Sequence, residues 1–340
     1  MAKSDDDKKR YKEVQKASRA ELERGGIPIL AKERIEAQLK SGSKFFSSDL
    51  SVKEYLLTRE QNIVPVGQVM GTAFFNISLF GSFFRIRLKT GEMTSVSQAL
   101  LQARHKAVER LKEEARLMGA NGVIGVKVNA GTRSWSSSLR EFTAVGTAVK
   151  IPGWPRDRDV FVCDLSGQEF WQLLTSGYRP VSLAFGICSY YVYTTWGTQN
   201  QMYAWWGGNQ NNNQEIELFT QSFYDARHLV MSHLKSDLNN SAADGIVGVQ
   251  VDYNLEHIPL NEKNENQWDM IIHMTAIGTG IIEDHDYIPQ DKEKLSKLSP
   301  QFCINLRDKK LASAKPSRMR ELDSEKFSLD SIKKYYGYGD

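Results

Sequence analysis

Gly122-Val123-Ile124-Gly125-Val126 returns as Gly245-Ile246-Val247-Gly248-Val249, 123 residues later. A short run of Val and Ile between glycines reads as a buried strand, its glycines as places of close backbone packing or a bulge. No Lys-Ser or Lys-Thr follows and no helix opens there, so the run is not a phosphate loop. Working outward, the doubling spreads through most of the chain. Ala103-Arg104-His105 returns as Ala226-Arg227-His228, and Leu111-Lys112 as Leu234-Lys235, at the same offset. Asp49-Leu50-Ser51 with Glu54 and Tyr55 returns as Asp164-Leu165-Ser166 with Glu169 and Phe170, at an offset of 115 that holds at Pro65-Val66 and Pro180-Val181. Thr143-Ala144-Val145-Gly146-Thr147 returns as Thr275-Ala276-Ile277-Gly278-Thr279, offset by 132. Insertions of eight and nine residues between matched blocks account for the drift, since loops absorb them.

Each unit carries the same element pattern. A short apolar lead, Phe45-Phe46 or Val160-Phe161-Val162, precedes Ser51-x-x-Glu54 or Ser166-x-x-Glu169. That spacing is a capping box and predicts a short helix in each copy. Pro65 and Pro180 then open half-buried strands. A long helix follows, with Leu101, Val108, Leu111, Ala115 and Met118 on one stripe in the first copy and Phe223, Met231, Leu234 and Leu238 in the second. Gly119 stops the first helix. Strands Gly122–Val128 and Glu141–Lys150, or Gly245–Val251 and Trp268–Ile282, complete the unit. Helices on one face of a mostly antiparallel sheet make an α+β, two-layer repeat. The other sheet face then needs cover from the sister copy or another chain, which predicts oligomerisation.

At 340 residues the chain has room for two such domains. The expected organisation is a charged helical arm over 1–44, repeats over 45–152 and 160–283, and a weakly structured tail over 284–340. A net charge of +3 does not point to nucleic acid or an anionic membrane. Three scattered cysteines, Cys163, Cys188 and Cys303, give no disulfide framework and suit a reducing compartment. Asp5, Asp6 and Asp7 follow Met1 without an apolar stretch, and no run spans a bilayer, so a cytoplasmic protein is expected.

The Ala-Arg of the long helices resembles the YbjQ family, also called UPF0145 or putative heavy-metal-binding. So do Gly119-Ala120-Asn121-Gly122-Val123-Ile124-Gly125-Val126, Ala243-Asp244-Gly245-Ile246-Val247-Gly248-Val249 and Gly146-Thr147-Ala148-Val149. The resemblance covers about two thirds of the chain, in two copies. It implies a small α+β fold that assembles into a ring, with pentamers in single-domain members, and no established reaction. Simple members carry a Glu after the glycine of the first strand, where this chain has Thr72 and Ile187. They carry acidic residues after the Gly-x-x-Gly strand, where it has Asn129 and Asp252. A divalent or transition metal would then be left with repeat 2 alone.

Arg104 and Arg227 fall on the apolar stripe of their helices. A guanidinium there needs a carboxylate, carbonyls or a bound anion, which reads as an ion pair at a seam or as an anion pocket. His105 and His228 sit beside them, with Lys112 and Lys235 on the same flank. These four, Arg104, His105, Arg227 and His228, are the ligand or assembly candidates. Metal motifs are absent, and His228 and His233, five apart, do not share a face. Cys188, Asp252, His257 and His273 are the remaining metal candidates, with His285 a further histidine. No nucleophile constellation stands out. Tyr190, Tyr191, Tyr193, Trp196, Tyr203, Trp205 and Trp206 lead into an Asn/Gln run, so residues 190–214 form an aromatic insertion that suits a protein partner or the seam between copies. The tail Lys333-Lys334-Tyr335-Tyr336-Gly337-Tyr338 has the look of a short docking peptide. The expected function is a non-enzymatic, ring-forming scaffold or binding module. The alternatives are a metal or small-ligand binder using repeat 2 and an enzyme with an inter-subunit site.

Overall fold

The structure is a computed structural model, and it describes residues 5–41, 46–77, 89–133, 136–155, 158–195, 197–198, 215–241, 243–259 and 268–284. Phe45, Trp196, Tyr203, Trp205, Trp206, the Asn/Gln run, His285, Cys303 and the tail lie outside the described residues. The elements run α1 (Asp5–Glu23), α2 (Ile29–Lys40), α3 (Val52–Glu60), β1 (Val64–Asn76), β2 (Gly91–Glu92), α4 (Thr94–Leu117), β3 (Gly122–Arg133) and β4 (Ser136–Lys150). They continue with β5 (Phe161–Val162), α5 (Gly167–Thr175), β6 (Tyr178–Val192), α6 (Glu217–Asn239), β7 (Gly245–Pro259) and β8 (Trp268–Glu283). The protein is α+β.

Both capping boxes form. The Glu54 N–H donates to Ser51 Oγ at 3.3 Å while the Glu54 carboxylate takes the Ser51 N–H at 2.7 Å. Ser166 and Glu169 repeat this at 3.3 and 2.9 Å. Two four-stranded sheets follow, ordered β1-β4-β3-β5 and β2-β6-β8-β7. In both, the last long strand of the unit lies between the first and the middle one, antiparallel to each. Both middle strands slip register at the same place, between Ile124 and Lys127 and between Val247 and Gln250. The second glycine of each Gly-x-x-Gly sits there with φ +62° or +67°, a left-handed conformation that a side chain would strain.

The two halves exchange short strands, which the sequence did not announce. Val160-Phe161-Val162 reads as the start of the second unit, yet β5 joins the first sheet, pairing Phe161 with Gly122 and Val162 with Val123 in parallel. In return β2, from the first unit, pairs Gly91 with Tyr191 and Glu92 with Tyr190 on the second sheet. Without these additions β3 and β6 would each present free N–H and C=O groups. The Phe161 ring lies on Gly122 so closely that a Cβ there would stand 2.2 Å from ring atoms.

Helix α4 is buried on both sides. Ala103, Ala107 and Leu111 share one core with Val69, Val123 and Phe142 of the first sheet and with Leu183, Phe185 and Ile187 of the second. Helix α6 buries Ser222, Ala226, Val230 and Leu234. Of the stripe read from sequence, Leu234 is buried and Phe223 and Leu238 pack against the same core, while Met231 is exposed. The helix lies close on β6: a Cβ on Gly186 would stand 2.2 Å from the Val230 carbonyl.

Candidate functional site at the seam between the repeats

The start of α4 and the strand before it dock on the second repeat through backbone groups, Ser97 and two histidine–carboxylate contacts. The Met93 N–H donates to Ser189 O at 2.7 Å, and the Ser189 N–H donates to Ser97 Oγ at 3.0 Å. His105 Nε2 lies 2.9 Å from Asp237 Oδ1, whose other oxygen accepts the Phe185 N–H at 2.8 Å. His233 Nδ1 meets Ile187 O at 2.7 Å, and its Nε2 is 3.8 Å from Glu92 of β2. Asp237 and His233 thus cover the exposed edge of β6, and His105 and Glu92 bind them from the first repeat.

Behind this contact lies a cavity of about 470 Å³ lined by Leu100, Arg104, Phe142, Cys188, Asp252 and His273, among others. Arg104 is only 9% exposed. Its Nη1 donates to Leu100 O at 3.3 Å, and its guanidinium lies 4.8 Å above the Phe142 ring. Among the described residues no carboxylate forms an ion pair with it. Burial pulls its pKa down to about 10, the mark of a cation stripped of water without an opposing charge. The seam thus surrounds Arg104 with a carbonyl and a ring, where the sequence suggested an ion pair.

On the opposite wall His273 is held at both nitrogens. Nδ1 is 2.9 Å from Ser189 Oγ, and Nε2 is 3.0 Å from Glu256 Oε2. The hydrogen bond to His273, then burial and the charges of His273 and Arg140, set the Glu256 pKa, which is lowered overall. This Ser–His–carboxylate chain was invisible in the sequence because its members lie on three strands. Ser189 is fully buried and, unlike Cys188 and His273, does not line the cavity. The chain pins β6, β7 and β8 together.

The structure gathers Cys188, Asp252 and His273 around one cavity, and it separates His257, which stacks on Trp268 at 4.4 Å. These residues do not fit a metal. Burial, with the charge of Glu92, pushes the Cys188 thiol up to about 12. Both His273 nitrogens are engaged, and among the described residues no group of three His, Cys, Asp or Glu side chains is placed to hold an ion.

Arg227 and His228 lie exposed on α6, far from the environment of their counterparts. The difference extends along the helix. Leu101, Arg104, His105 and Val108 face the seam from α4, whereas Tyr224, Arg227, His228 and Met231 occupy the same positions on α6 and face outward. Tyr224 is 62% exposed and Met231 41%, against 5% for Val108. Lys112 is half-buried beside Glu109 at 3.4 Å, and Lys235 is exposed. Tyr190 and Tyr191 are buried in β6, Tyr191 donating to Asp269. No described helix is long and apolar enough to cross a membrane.

Known proteins share this pattern. A profile of the YbjQ family described as "Putative heavy-metal-binding" matches residues 51–152. The chain is 31% identical over 217 residues to the encapsulin nanocompartment protein Rv1762c of Mycobacterium tuberculosis, spanning 62% of this chain and 79% of that protein. It is 41% identical over 92 residues to a UPF0145 protein of Pseudothermotoga lettingae, spanning 26% of this chain and 84% of that one. With a UPF0145 protein of Thermosipho africanus the identity is 32% over 104 residues, 28% of this chain and 94% of the relative.

Proposed function

The chain belongs to the YbjQ (UPF0145) family, and from that premise we propose that it is a scaffold whose copies join head to tail into a ring. The observation that carries this reading is that the second repeat offers the same joint as the first and, among the described residues, leaves it open. On β3, Phe161 covers Gly122, and Cys163 N–H and O close the ladder to Val123 O and Val126 N–H at 3.0 Å each. On β7 the corresponding Gly245 meets, among the described residues, just Ile281, 4.0 Å from where a Cβ would stand, and Val249, Val251, Tyr253 and Leu255 are exposed. An exposed apolar row on an unpaired edge marks an interaction surface.

The matching strand is the lead of the first repeat. Phe46 stacks on Tyr55 at 5.4 Å as Phe161 stacks on Phe170 at 5.4 Å. The Asp49 N–H donates to Thr147 Oγ1 at 3.0 Å as the Asp164 N–H donates to Thr279 Oγ1 at 3.1 Å. The segment 46–51 therefore has the posture of 161–166. In this reading Phe46 of one copy lies on Gly245 of another, and Tyr224, Arg227, His228 and Met231 enter the second seam. One interface repeated head to tail gives a ring when its rotation closes. The mycobacterial relative's name, an encapsulin nanocompartment protein, agrees with a part in a protein compartment. A soluble, cytoplasmic setting is part of the same proposal.

Paired substitution tests it. Phe46→Cys with Gly245→Cys places thiols where bridge partners stand, within disulfide reach. Mild oxidation is expected to give covalent multiples of the 38.6 kDa chain, with neither single variant doing so. A purely monomeric product refutes the joint.

A second reading is favoured by Arg104 alone: the cavity holds a small anion, such as a carboxylate or phosphate, over the unpaired guanidinium. Inorganic phosphate and acetate are then expected to raise the thermal midpoint of the native chain and not that of Arg104→Gln. Equal response of both proteins rejects it.

A further inference from the structure

We propose that the flank of α4 bearing Arg110 and Glu114 is a docking surface for the second repeat of another copy, and that α1 and α2 occupy it as a stand-in. The inference rests on the head-to-tail reading. Arg110 and Glu114 are the counterparts of His233 and Asp237. Arg110 Nη1 donates to Thr72 O at 2.6 Å, as His233 meets Ile187 O at 2.7 Å. Glu114 accepts the Met70 N–H at 2.9 Å, as Asp237 accepts the Phe185 N–H at 2.8 Å. Each pair guards the same stretch of its own edge strand.

The outer sides of the two pairs meet different partners. On the second repeat they meet the first: Glu92 stands 3.8 Å from His233, and His105 stands 2.9 Å from Asp237. On the first repeat they meet the arm. Arg110 Nε donates to Gly26 O at 3.2 Å and Nη2 to Leu22 O at 3.4 Å, while Arg34 pairs with Glu114 at 3.1 Å. Ile27 and Ile35 are buried with these contacts.

The residues that would replace the arm are present and exposed. The counterparts of Glu92 and His105 are Glu215 and His228. Glu215 of one copy is complementary to Arg110 of the next, and His228 to Glu114, so the charges match the surface. The arm satisfies these two side chains while leaving Met70 52% and Phe74 53% exposed. Their counterparts, Phe185 and Ser189, are covered by the first repeat. The arm is thus an incomplete substitute, and a true second copy covers more. Docking must displace it, which lowers apparent affinity by the fraction of chains with the face free.

Full-length Arg34→Glu and full-length Ile35→Asp test this by sedimentation velocity across a concentration series. Like charge at Glu114, or a carboxylate in place of a buried isoleucine, loosens the arm without removing it. Both variants are expected to associate at concentrations roughly three- to tenfold below the native chain. Hydrogen exchange of residues 5–41 is expected to quicken as the native chain assembles. If the variants and the native chain associate at one concentration, or the arm stays protected in the assembly, the stand-in role is overturned while the head-to-tail reading survives. If no version associates, both are overturned.

Discussion

Gly122→Ala and Gly245→Ala are the same substitution at matched positions, and the structure predicts opposite consequences. At Gly122 the new Cβ would stand 2.2 Å from two atoms of the Phe161 ring. That ring is 2% exposed, with Trp154 at 5.0 Å and Phe170 at 5.4 Å, so it has little room to turn. Overpacking of this kind costs ~1–3 kcal/mol. The expected loss of unfolding free energy for Gly122→Ala is of that order, lessened by the ~0.5–1 kcal/mol that Ala gains over Gly in a strand through backbone entropy. At Gly245 the Cβ meets only Ile281 at 4.0 Å, so the isolated chain is expected to unfold as before or slightly later. In the proposed assembly the cost would fall on the joint instead, where Phe46 of a second copy would lie. The same ~1–3 kcal/mol there weakens each contact about 5- to 150-fold. Urea unfolding at low concentration reads the first effect, and sedimentation velocity across concentrations reads the second. Native association by Gly245→Ala, or native stability of Gly122→Ala, refutes the equivalence of the two joints.

Four further outcomes follow from single contacts. Asp237→Ala leaves the Phe185 N–H and His105 without their acceptor and is expected to cost ~1–3 kcal/mol in urea unfolding, with His105→Ala costing less. Arg104→Leu replaces an unpaired buried cation by an apolar group and is expected to hold or raise stability by ~1 kcal/mol in the same assay, and a loss above ~2 kcal/mol contradicts the unpaired state. Glu256 has its pKa held below the ordinary 4.5, so its contribution is present above that value and lost as pH falls through the lower folded value; Glu256→Gln is expected to flatten the acid limb of a stability–pH curve. Ser51→Ala and Ser166→Ala each remove one half of a capping box and are expected to cost ~1 kcal/mol in thermal or urea unfolding.

What was legible in the sequence is what local chemistry decides. Ser51 and Ser166 announced their helices because a cap needs only residues three apart. The Gly-x-x-Gly runs announced a tight strand, and the structure divides the work: the first glycine of β3 admits a ring and the second makes the bulge. The destination of Phe161-Val162 was not legible, because a two-residue strand carries no periodicity and its pairing is decided by a neighbouring edge. On helix α6 the large residues divide. Phe223, Leu234 and Leu238 join the core as the periodicity predicts, whereas Met231 is exposed and Ala226 and Val230 take the inner face beside Leu234. The Ser189–His273–Glu256 chain joins residues far apart in sequence, and only the strand register brings them together. Arg104 stood out as a cation on an apolar stripe, and it is buried; that no described carboxylate pairs with it depends on every neighbour at once.

In the proposed ring the internal and external joints would not be equally strong, and the residues give the reason. Within the chain the strand laid on β3 is Phe161-Val162-Cys163, of which Val162 and Cys163 are fully buried. The corresponding lead of the first repeat is Phe46-Ser47-Ser48, which keeps the aromatic anchor and exchanges the two apolar residues for hydroxyls. Each such exchange forfeits on the order of 1 kcal/mol or more of burial, so a joint between copies is weaker than the seam inside one. The arm must also leave before that joint closes fully. On the proposed reading the chain would be the permanent unit and the ring its reversible product. Because each chain brings two repeats, a closed ring of whole chains, if the proposed joint forms one, would hold an even number of them, and a five-repeat ring would be closed to it. A pentamer of this chain would carry twice as many repeats and require a shallower turn at each joint, and the different side chains at the two kinds of joint leave room for that turn to be shared unequally.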